Sequence, residues 1–382
     1  MPVIYPYVQY SGMWTPQSQM QAAAAGTWPG LPGLWSWGYN DTGQLGLGNI
    51  TNYSSPKQVG ALTTWSKITC GAHNTLATKT DGTLWSWGLN TSGELGLGNT
   101  TNYSSPKQVG ALTTWSKVSA GGSFSLAIKT DGTLWSWGGN DVGQLGLGDI
   151  TNRSSPVQVG ALTTWSNIAC GSNHTLATKT DGTLWSWGLN ANGQLGLGNI
   201  TNRSSPNQVG ALTTWSSIAG GIYHTLATKT DGTLWAWGRN NNGQLGLDNQ
   251  INRSSPVQVG ALTTWSKITC GDNSSLAIKT DGTLWSWGQN TDGQLGLGNT
   301  TNYSSPKQVG ALTTWLNILA KGGSSSLAVK TDGTLWAWGS NSVGQLGLGN
   351  ITNYSSPKQV GALTTWSIIA CGGGSSLAIT SH

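Results

Sequence analysis

Short runs of apolar residues recur along the chain and predict β-strands. In the first copy, Leu34-Trp35-Ser36-Trp37 is a run of β-forming residues, and Trp65 to Cys70 alternates apolar and polar side chains. Thr75 to Lys79 is a third run, whereas Gln58-Val59 offers at most a short edge strand after Pro56. Alternation with a period of two is typical of half-buried strands. Each copy therefore predicts about four short strands and no helix, which is the content of one propeller blade.

An Asp-Gly dipeptide separates two of these runs. Asp81-Gly82 lies between Thr75–Lys79 and the next Leu84-Trp85 segment. A tight turn at this point needs positive φ, which Gly adopts without steric cost. The dipeptide therefore predicts an antiparallel hairpin.

The same unit repeats along the chain with a nearly constant period. The segment Leu-Trp-x-Trp-Gly begins at Leu34, Leu84, Leu134, Leu184, Leu234, Leu284 and Leu335. The spacing is 50 residues five times and then 51, and the extra residue falls in Leu319-Ala320-Lys321-Gly322. A period of this length indicates a solenoid, a propeller or an array. Strand content without helices favours an all-β, seven-bladed β-propeller.

The two ends of the repeat region complement each other. The last copy stops at Leu377–Thr380, the first half of the hairpin, and the first copy starts at Leu34 with the second half. Pairing of these N- and C-terminal strands would close the ring and remove its open edges. We therefore predict a closed propeller over residues 34–382.

Residues 1–33 do not belong to the repeat and are predicted to form an anchor arm. The segment has no charged side chain, and Thr15-Pro16 followed by Gln17–Ala25 and Gly26 predicts a short helix over residues 16–25. An exposed aromatic arm favours association, so we expect it to contact other structural protein subunits. The aromatic anchor residues are Tyr5, Tyr7, Tyr10, Trp14 and Trp28.

Composition and charge exclude several classes of protein. Charged residues make up only 8% of the chain, but 23 Trp argue against disorder. The net charge of +5 is spread without a run of Lys or Arg, so no nucleic-acid partner is expected. The chain has no stretch of 18 apolar residues, so we expect no membrane span. We also find no secretory signal pattern in the sequence.

The reactive residue types do not form a catalytic or metal-binding pattern. The cysteines share one repeat position without forming a C-x-x-C pair, so they are expected to be small buried residues. Glu94 is the single Glu, and His73, His174 and His224 have no nucleophile repeating beside them. We therefore expect no enzyme activity, no metal and no cofactor. The cysteines are Cys70, Cys170, Cys270 and Cys371.

The repeat unit resembles a known family. It reads Trp-Ser-Trp-Gly-x-Asn-x-x-Gly-Gln-Leu-Gly-Leu-Gly, then Ser-Pro-x-Gln-Val, then Gly-x-x-His-Thr-Leu-Ala, and closely resembles the regulator-of-chromosome-condensation repeat over residues 34–382. The resemblance implies a seven-bladed propeller closed by its termini. The best-known member exchanges nucleotide on a small GTPase through a wedge inserted into one blade, whereas this chain gains only one residue near Lys321. A plant photoreceptor of the family uses Gly-Trp-Arg-His-Thr, but Gly171–Thr175 and Gly221–Thr225 lack the Trp and the Arg.

The copies differ mainly in two short stretches, which are the loop after Trp-Gly and the turn before the Thr75–Lys79 strand. Strand direction places both on one face of the ring. Loops on a rigid scaffold commonly carry binding, although neutral drift in exposed loops is an equal alternative. The candidate binding residues are Tyr39, Asp41, Thr42, His73, Asn74, Phe124, Asp141, Asn173, His174, Tyr223, His224, Arg239 and Asp272.

A second resemblance shapes the functional hypothesis. The run from Tyr10–Trp14 to Gly26–Pro29 resembles leader segments of structural proteins from marine tailed bacteriophages. The first hypothesis is therefore a non-enzymatic structural or adhesion protein of a virion surface or tail, made in the host cytoplasm and displaying its varied face to a cell-surface glycan or protein. The alternative is a free carbohydrate-binding or protein-interaction propeller, cytoplasmic or at the cell surface. A small-GTPase exchange factor is the third hypothesis.

Overall fold

A computed structural model describes residues 33–322 and 324–381, which form seven four-stranded antiparallel sheets. This confirms the predicted all-β, seven-bladed propeller. The predicted helix over residues 16–25 and the arm residues Tyr5, Tyr7, Tyr10, Trp14 and Trp28 lie outside the described residues. The described part of the chain contains no helix with the length and apolarity needed to cross a membrane.

All strands of the described residues are five to seven residues long. In chain order they are β1 (Gly33–Gly38), β2 (Tyr53–Gln58), β3 (Trp65–Cys70), β4 (Asn74–Lys79), β5 (Leu84–Gly88), β6 (Tyr103–Gln108), β7 (Trp115–Ala120), β8 (Phe124–Lys129), β9 (Leu134–Gly138), β10 (Arg153–Gln158), β11 (Trp165–Cys170), β12 (His174–Lys179), β13 (Leu184–Gly188), β14 (Arg203–Gln208), β15 (Trp215–Gly220), β16 (His224–Lys229), β17 (Leu234–Gly238), β18 (Arg253–Gln258), β19 (Trp265–Cys270), β20 (Ser274–Lys279), β21 (Leu284–Gly288), β22 (Tyr303–Gln308), β23 (Trp315–Ala320), β24 (Ser325–Lys330), β25 (Leu335–Gly339), β26 (Tyr354–Gln359), β27 (Trp366–Gly372) and β28 (Ser375–Thr380).

Each blade is a meander of four neighbouring strands. Blade 1 consists of β27, β28, β1 and β2, blade 2 of β3 to β6, and the following blades continue in the same way to β26 in blade 7. The first strands of neighbouring blades, such as β3, β7 and β11, contact one another, so they surround the central channel. The fourth strands lie at the outer edge. We call the end with the Asp-Gly hairpins the bottom and the opposite end the top.

The terminal strands close the ring as predicted. β1 pairs with β28 over six residue pairs, from Gly33 opposite Thr380 to Gly38 opposite Ser375. β1 begins at Gly33, one residue earlier than the predicted start of the propeller. Blade 1 is therefore built from both ends of the repeat region.

The outermost strand differs from the sequence prediction. The sequence predicted at most a short edge strand after Pro56, but β2 spans Tyr53–Gln58 and includes Pro56. The register between β1 and β2 is irregular between Ser36 and Gly38, which indicates a bulge. Proline lacks an N–H group and is tolerated at a sheet edge or a bulge, so a single pattern of alternation does not reveal this strand.

Paired tryptophans fill the space between blades. Trp87 is fully buried, and its indole N–H donates to the carbonyl of Gln44 in the preceding blade at 3.0 Å. Trp65 packs edge-on against both Trp85 and Trp87, with ring centroids 6.1 and 5.9 Å apart. Such contacts add about 0.5–1.5 kcal/mol to the free energy gained by burying the rings. The repeated Trp pair is thus part of the inter-blade core.

A glycine of the top loop makes this packing tight. Gly46 has φ of +74°, and a Cβ built on it would lie 2.7 Å from Nε1 of Trp87. Gly60 has a similar φ of +60°, but nothing lies within 4 Å of its Cβ position.

These two glycines give a matched test of the packing. Gly60→Ala should lower the free energy of unfolding by about 1–2 kcal/mol, because the left-handed backbone disfavours a side chain. Gly46→Ala should lower it by about 1–3 kcal/mol more, because the methyl group also overlaps Trp87. Urea unfolding followed by Trp fluorescence measures both values. Equal losses in the two variants would show that the Trp87 contact is looser than described.

Glu94 is an exception to the copied core. It stands where Gln44 stands in the preceding copy and is 1% exposed. Its Oε2 accepts a hydrogen bond from the Ser92 amide at 2.7 Å, but its buried Oε1 has no partner. Burial raises the pKa of Glu94 above its ordinary value.

Glu94→Gln should therefore stabilise the protein near neutral pH. The amide oxygen of a Gln keeps the bond to the Ser92 amide, as Gln44 does to Thr42, and the buried charge is removed. We expect a gain of about 1–2 kcal/mol in the free energy of unfolding at pH 7.

The pH dependence and the reverse substitution test the same prediction. The pKa of Glu94 is higher in the folded state than in the unfolded state. Between these two pKa values the folded protein binds more protons than the unfolded protein, so the free energy of unfolding falls as pH rises. The difference in free energy of unfolding between Glu94→Gln and the parent should therefore disappear in acid, where Glu94 is protonated in both the folded and the unfolded state. Gln194→Glu should create the same loss in another blade. A constant difference between pH 3 and pH 7, two values chosen to bracket the ordinary pKa of about 4.3, would contradict the assignment to charge.

Candidate functional site

The two varied stretches lie side by side at the top of the ring, as strand direction predicted. The Tyr39 amide donates to the Gly374 carbonyl at 3.0 Å, which ties the loop after β1 to a turn of its own blade. The Thr42 hydroxyl donates to the His73 carbonyl at 3.3 Å, which ties the same loop to a turn of blade 2. We call the surface formed by these loops and turns the varied face.

Tyr39, Asp41 and His73 form one polar aromatic cluster on the varied face. The Tyr39 and His73 rings are edge to face with centroids 5.8 Å apart. The Tyr39 hydroxyl donates to Oδ2 of Asp41, and this hydrogen bond raises the pKa of Tyr39 above its ordinary value. Asp41 is exposed, whereas Tyr39, Thr42 and His73 are partly exposed.

Tyr223 and Arg239 form a second cluster, in blade 5. The Arg239 guanidinium lies 5.6 Å from the centre of the Tyr223 ring, and the Arg239 amide donates to the Tyr223 carbonyl at 2.8 Å. Both side chains are partly exposed. Of the other candidates, Asn173 is partly exposed and Asp141 is exposed. The varied face therefore presents aromatic, acidic and basic groups at different blades.

Four of the candidate residues do not reach this surface. Asn74, Phe124, His174 and His224 are each at most 1% exposed. Nε2 of His174 lies 3.2 Å from the Thr225 hydroxyl of the next blade. These residues begin second strands that are buried along nearly their whole length, so they belong to the core. The apolar residues that follow each position in the sequence are the signal that places them there.

Burial controls the titration of the two deeply placed histidines. Nε2 of His224 lies 3.1 Å from the Ser275 hydroxyl, in the same arrangement as His174 and Thr225. Removal from water lowers the pKa of His174 to about 3 and that of His224 to about 4. Both imidazoles are therefore neutral over the physiological range and are not charged contacts for a ligand.

The top opening of the central channel is a feature that the sequence did not reveal. It is a cavity of about 190 Å³ lined mostly by glycines, together with Lys321 and Asp272. Asp272 therefore faces the channel opening. A Cβ on Gly71 would lie 2.5 Å from the Gly121 carbonyl, so the backbones of neighbouring blades almost touch here.

Lys321 occupies this opening because blade 7 has one extra residue. Its ammonium donates to the carbonyl of Ala120 in blade 3, so the side chain reaches across the channel. Burial lowers the pKa of Lys321. The single change of repeat length in the sequence was the available signal, but only the closed ring shows that it points into the channel.

The cysteines are buried and free, as predicted. Burial raises the pKa of Cys170 to about 11 and that of Cys70 to about 12, and it also raises the pKa values of Cys270 and Cys371. The thiols are therefore protonated at neutral pH. Within residues 33–322 and 324–381, no three His, Cys, Asp or Glu side chains are grouped so that they could hold a metal ion.

Acid should destabilise the ring through His174 and His224. Their folded-state pKa values lie below the ordinary value of 6.5, so the unfolded state binds more protons and stability falls as pH drops below 6.5. Each His should lower the free energy of unfolding by about 1.4 kcal/mol for each pH unit below 6.5, until its folded-state pKa is reached.

The double variant His174→Ser/His224→Ser tests this pH dependence, because blades 6, 7 and 1 already have Ser at this position. Its free energy of unfolding should fall much less between pH 6.5 and 4.5 than that of the parent, where 6.5 is the ordinary His pKa. His73→Asn, which copies Asn173 on the varied face, is the control and should retain the acid loss. An unchanged slope in the double variant would rule out these two histidines as its source.

Comparison with protein families supports the repeat assignment. The RCC1-like domain matches residues 152–323, and the regulator of chromosome condensation (RCC1) repeat matches residues 33–78, 81–128 and 332–379. A second description of the RCC1 repeat matches residues 65–94 and 115–144. Mouse Protein RCC2 is 42% identical over 57 residues, which are 14% of this chain and 11% of that protein. The sequence match thus spans about a ninth of that relative's length.

Solved structures show the same fold. Human WBSCR16 superposes with a TM-score of 0.82 at 23% identity, over 92% of this chain and 99% of that one. Prp20p from Saccharomyces cerevisiae also superposes with a TM-score of 0.82, at 21% identity over 91% of both chains. Identities at this level establish the architecture alone.

These comparisons contradict the predicted role as a structural or adhesion component of a virion. The relatives are propellers of the RCC1 type, and the work on Prp20p concerns its binding to Gsp1p and histones. The hypothesis was wrong because it depended on a short likeness in residues 10–29, which lie outside the described residues and outside every family match. The repeat matches agree with the strand pattern, the closed ring and the family resemblance in sequence. The chain belongs to the regulator-of-chromosome-condensation (RCC1) repeat family.

Proposed function

We propose that this propeller is a non-catalytic interaction module that binds a folded protein partner through its varied face. The observation that carries the proposal is the contrast between copied and varied positions. Trp87 and its counterparts are copied in every blade, whereas Tyr39, Leu89, Gly139 and Arg239 occupy one equivalent position at the top. Variation in the loops and turns of this face of a rigid ring gives each sector of the face its own chemistry.

The side chains on the varied face suit protein recognition. Tyr and Arg are enriched among residues that dominate binding energy at protein interfaces. Tyr39 is held by Asp41 and His73, and Tyr223 is held by Arg239. Side chains that are already ordered lose less conformational entropy on binding. The two clusters, near blade 1 and in blade 5, would therefore act as separate anchors.

The shape of this face favours a protein over a small molecule. The channel opening at the top has a volume of about 190 Å³, whereas pockets for drug-sized ligands have about 300–1,000 Å³.

The titration of buried groups also supports a role without catalysis. His174, His224 and the cysteines are uncharged at neutral pH.

Relatives with the same fold support the class of partner. Prp20p has been studied for its binding to Gsp1p and histones, and yeast RCC1 (Prp20) has been solved bound to Kap60. All of these partners are proteins. Their identity is not transferred to this chain, because the exposed residues of the varied face are its own.

A photo-cross-linking experiment tests the proposed face. Benzoylphenylalanine is placed at Tyr39, at Tyr223 or, as a control, at Tyr103 on the outer strand of blade 2, and cross-linking is carried out in the cells that make the protein. We expect one discrete protein to be captured from both top positions and not from Tyr103. Equal capture from all three positions would argue against a specific face.

The captured protein is then purified and its affinity measured by calorimetry. The face variant is Tyr39→Leu/Tyr223→Asn/Arg239→Leu, in which each new residue already stands at that position in another blade. It should bind at least about tenfold more weakly, since it removes both anchors. The matched control Tyr53→Arg/Lys57→Val copies Arg153 and Val157 onto the rim and should change affinity less than about twofold. An unchanged affinity in the face variant would refute the proposal.

A further inference from the structure

The strands that surround the channel carry positive charge without negative charge. Lys67, Lys117 and Lys267 occupy the same position on β3, β7 and β19. No Asp or Glu occurs on any of the innermost strands β3, β7, β11, β15, β19, β23 and β27. Lys67 and Lys267 are exposed, and Lys117 is partly exposed. The lysines belong to blades 2, 3 and 6, so they approach the channel from two sides.

Register and hydrogen bonds place these lysines at the bottom of the channel. Lys67 is opposite Thr78, directly before the Asp-Gly hairpin of its blade. Its ammonium donates to the carbonyl of Ser116 in the next blade, and Lys117 does the same to Ser166. Lys67 and Lys117 occupy the same position on adjacent innermost strands, and the charge of Lys67, after burial, contributes to lowering the pKa of Lys117.

Ring closure does not require a cation at this position. Blades 4 and 7 have Asn167 and Asn317 there, blade 5 has Ser217, and blade 1 has Ile368, yet their strands pair in the same register. An ammonium group has three N–H donors, and the bond to the next blade uses one of them. The remaining donors are available to a ligand in the channel mouth.

The surrounding charges do not neutralise the lysines of the mouth. Each complete hairpin further out carries one Lys and one Asp, such as Lys79 and Asp81, which offset each other. At the top, the channel is narrowed by glycines and crossed by Lys321, with Asp272 lining the same opening. The surface around Lys117 includes Lys179 and Asp181 of the next blade, one charge of each sign. The three lysines of the innermost strands therefore leave the bottom of the channel with an excess of positive charge, which attracts anions.

We propose that the bottom mouth of the channel binds an inorganic polyphosphate chain through Lys67, Lys117 and Lys267. Lysine binds phosphate as a point charge without the fixed planar geometry of arginine, so it suits a chain of phosphates in varied orientations. Lys67 and Lys117 lie in adjacent blades and Lys267 approaches from the other side. A chain of several phosphates carries negative charge along its length, so it suits lysines on two sides of the mouth better than a single phosphate does. This site is at the opposite end of the ring from the varied face and does not depend on the proposed function.

Calorimetric titration with tripolyphosphate tests the site in the full-length protein. At physiological salt, where charges on the open surface are screened within about 8 Å, we expect saturable binding of one tripolyphosphate per chain. The channel variant Lys67→Asn/Lys117→Asn/Lys267→Asn should weaken this binding at least about tenfold, because it removes all three ammonium groups. Asn167 and Asn317 show that Asn is accommodated at this position.

A rim variant provides the matched control. Lys57→Asn/Lys107→Asn/Lys307→Asn removes the same number of charges from the outer strands, where Asn207 already occupies the equivalent position. It should retain the parent affinity within about twofold, because Lys57 and its counterparts lie over Tyr rings at the outer edge. Similar losses in the two variants would show nonspecific attraction to net charge and would overturn the proposal, as would absence of binding by the parent.

Lysine acetylation gives a second measurement that needs no variant. Acetic anhydride is added at a limiting dose with and without tripolyphosphate, and each lysine is quantified by mass spectrometry. Lys67, Lys117 and Lys267 should be protected several-fold relative to Lys57 and Lys107. Uniform protection, or protection confined to the rim, would contradict the assignment of the site.

Discussion

The hydrogen bond between a buried indole and the preceding blade is the contact on which the ring depends. Trp87 donates to the Gln44 carbonyl, and Trp37 donates in the same way to the Gln345 carbonyl of blade 7. A blade cannot satisfy this indole or cover its ring alone, because both the acceptor and much of the packing come from a neighbour. The preference for a closed ring follows, since an open array would leave one end without an acceptor. Pairing of β1 with β28 thus completes the packing as well as the sheet.

The regular parts of the fold could be predicted because each rests on local chemistry. The Asp81-Gly82 turn, the alternation in Trp65–Cys70 and the complementary ends of the repeat are all visible in the sequence and are all present in the structure. The extent of the outer strand was predicted wrongly, because Pro56 lies at a bulge on a sheet edge, where pairing comes from β1 rather than from a pattern in β2.

The site was harder to predict, because side-chain direction depends on the neighbouring blade. His73 and His174 stand one position apart in the repeat, but one contacts Tyr39 on the varied face and the other is enclosed beside Thr225. Sequence alone placed both at the top, which is true of their backbone and not of the His174 side chain. Lys321 shows the same limit, since its partner Ala120 belongs to a distant blade.

The hydrogen bond from each buried indole to the preceding blade, which we call the inter-blade lock, uses a backbone carbonyl as its acceptor. This explains where the copies are free to differ. Glu94 replaces Gln44 in one copy, yet its carbonyl still accepts the indole of Trp137 at 2.9 Å. The outer strand shows comparable freedom, because Lys57 lies over Tyr53 in blade 1 whereas Arg153 pairs with Asp149 at 2.6 Å in blade 3. Because neither arrangement touches the lock, chemistry at the rim, on the varied face and in the channel mouth can change blade by blade while the ring remains closed. A near-exact repeat can therefore carry an asymmetric surface, and its function must be sought in the positions where the copies disagree.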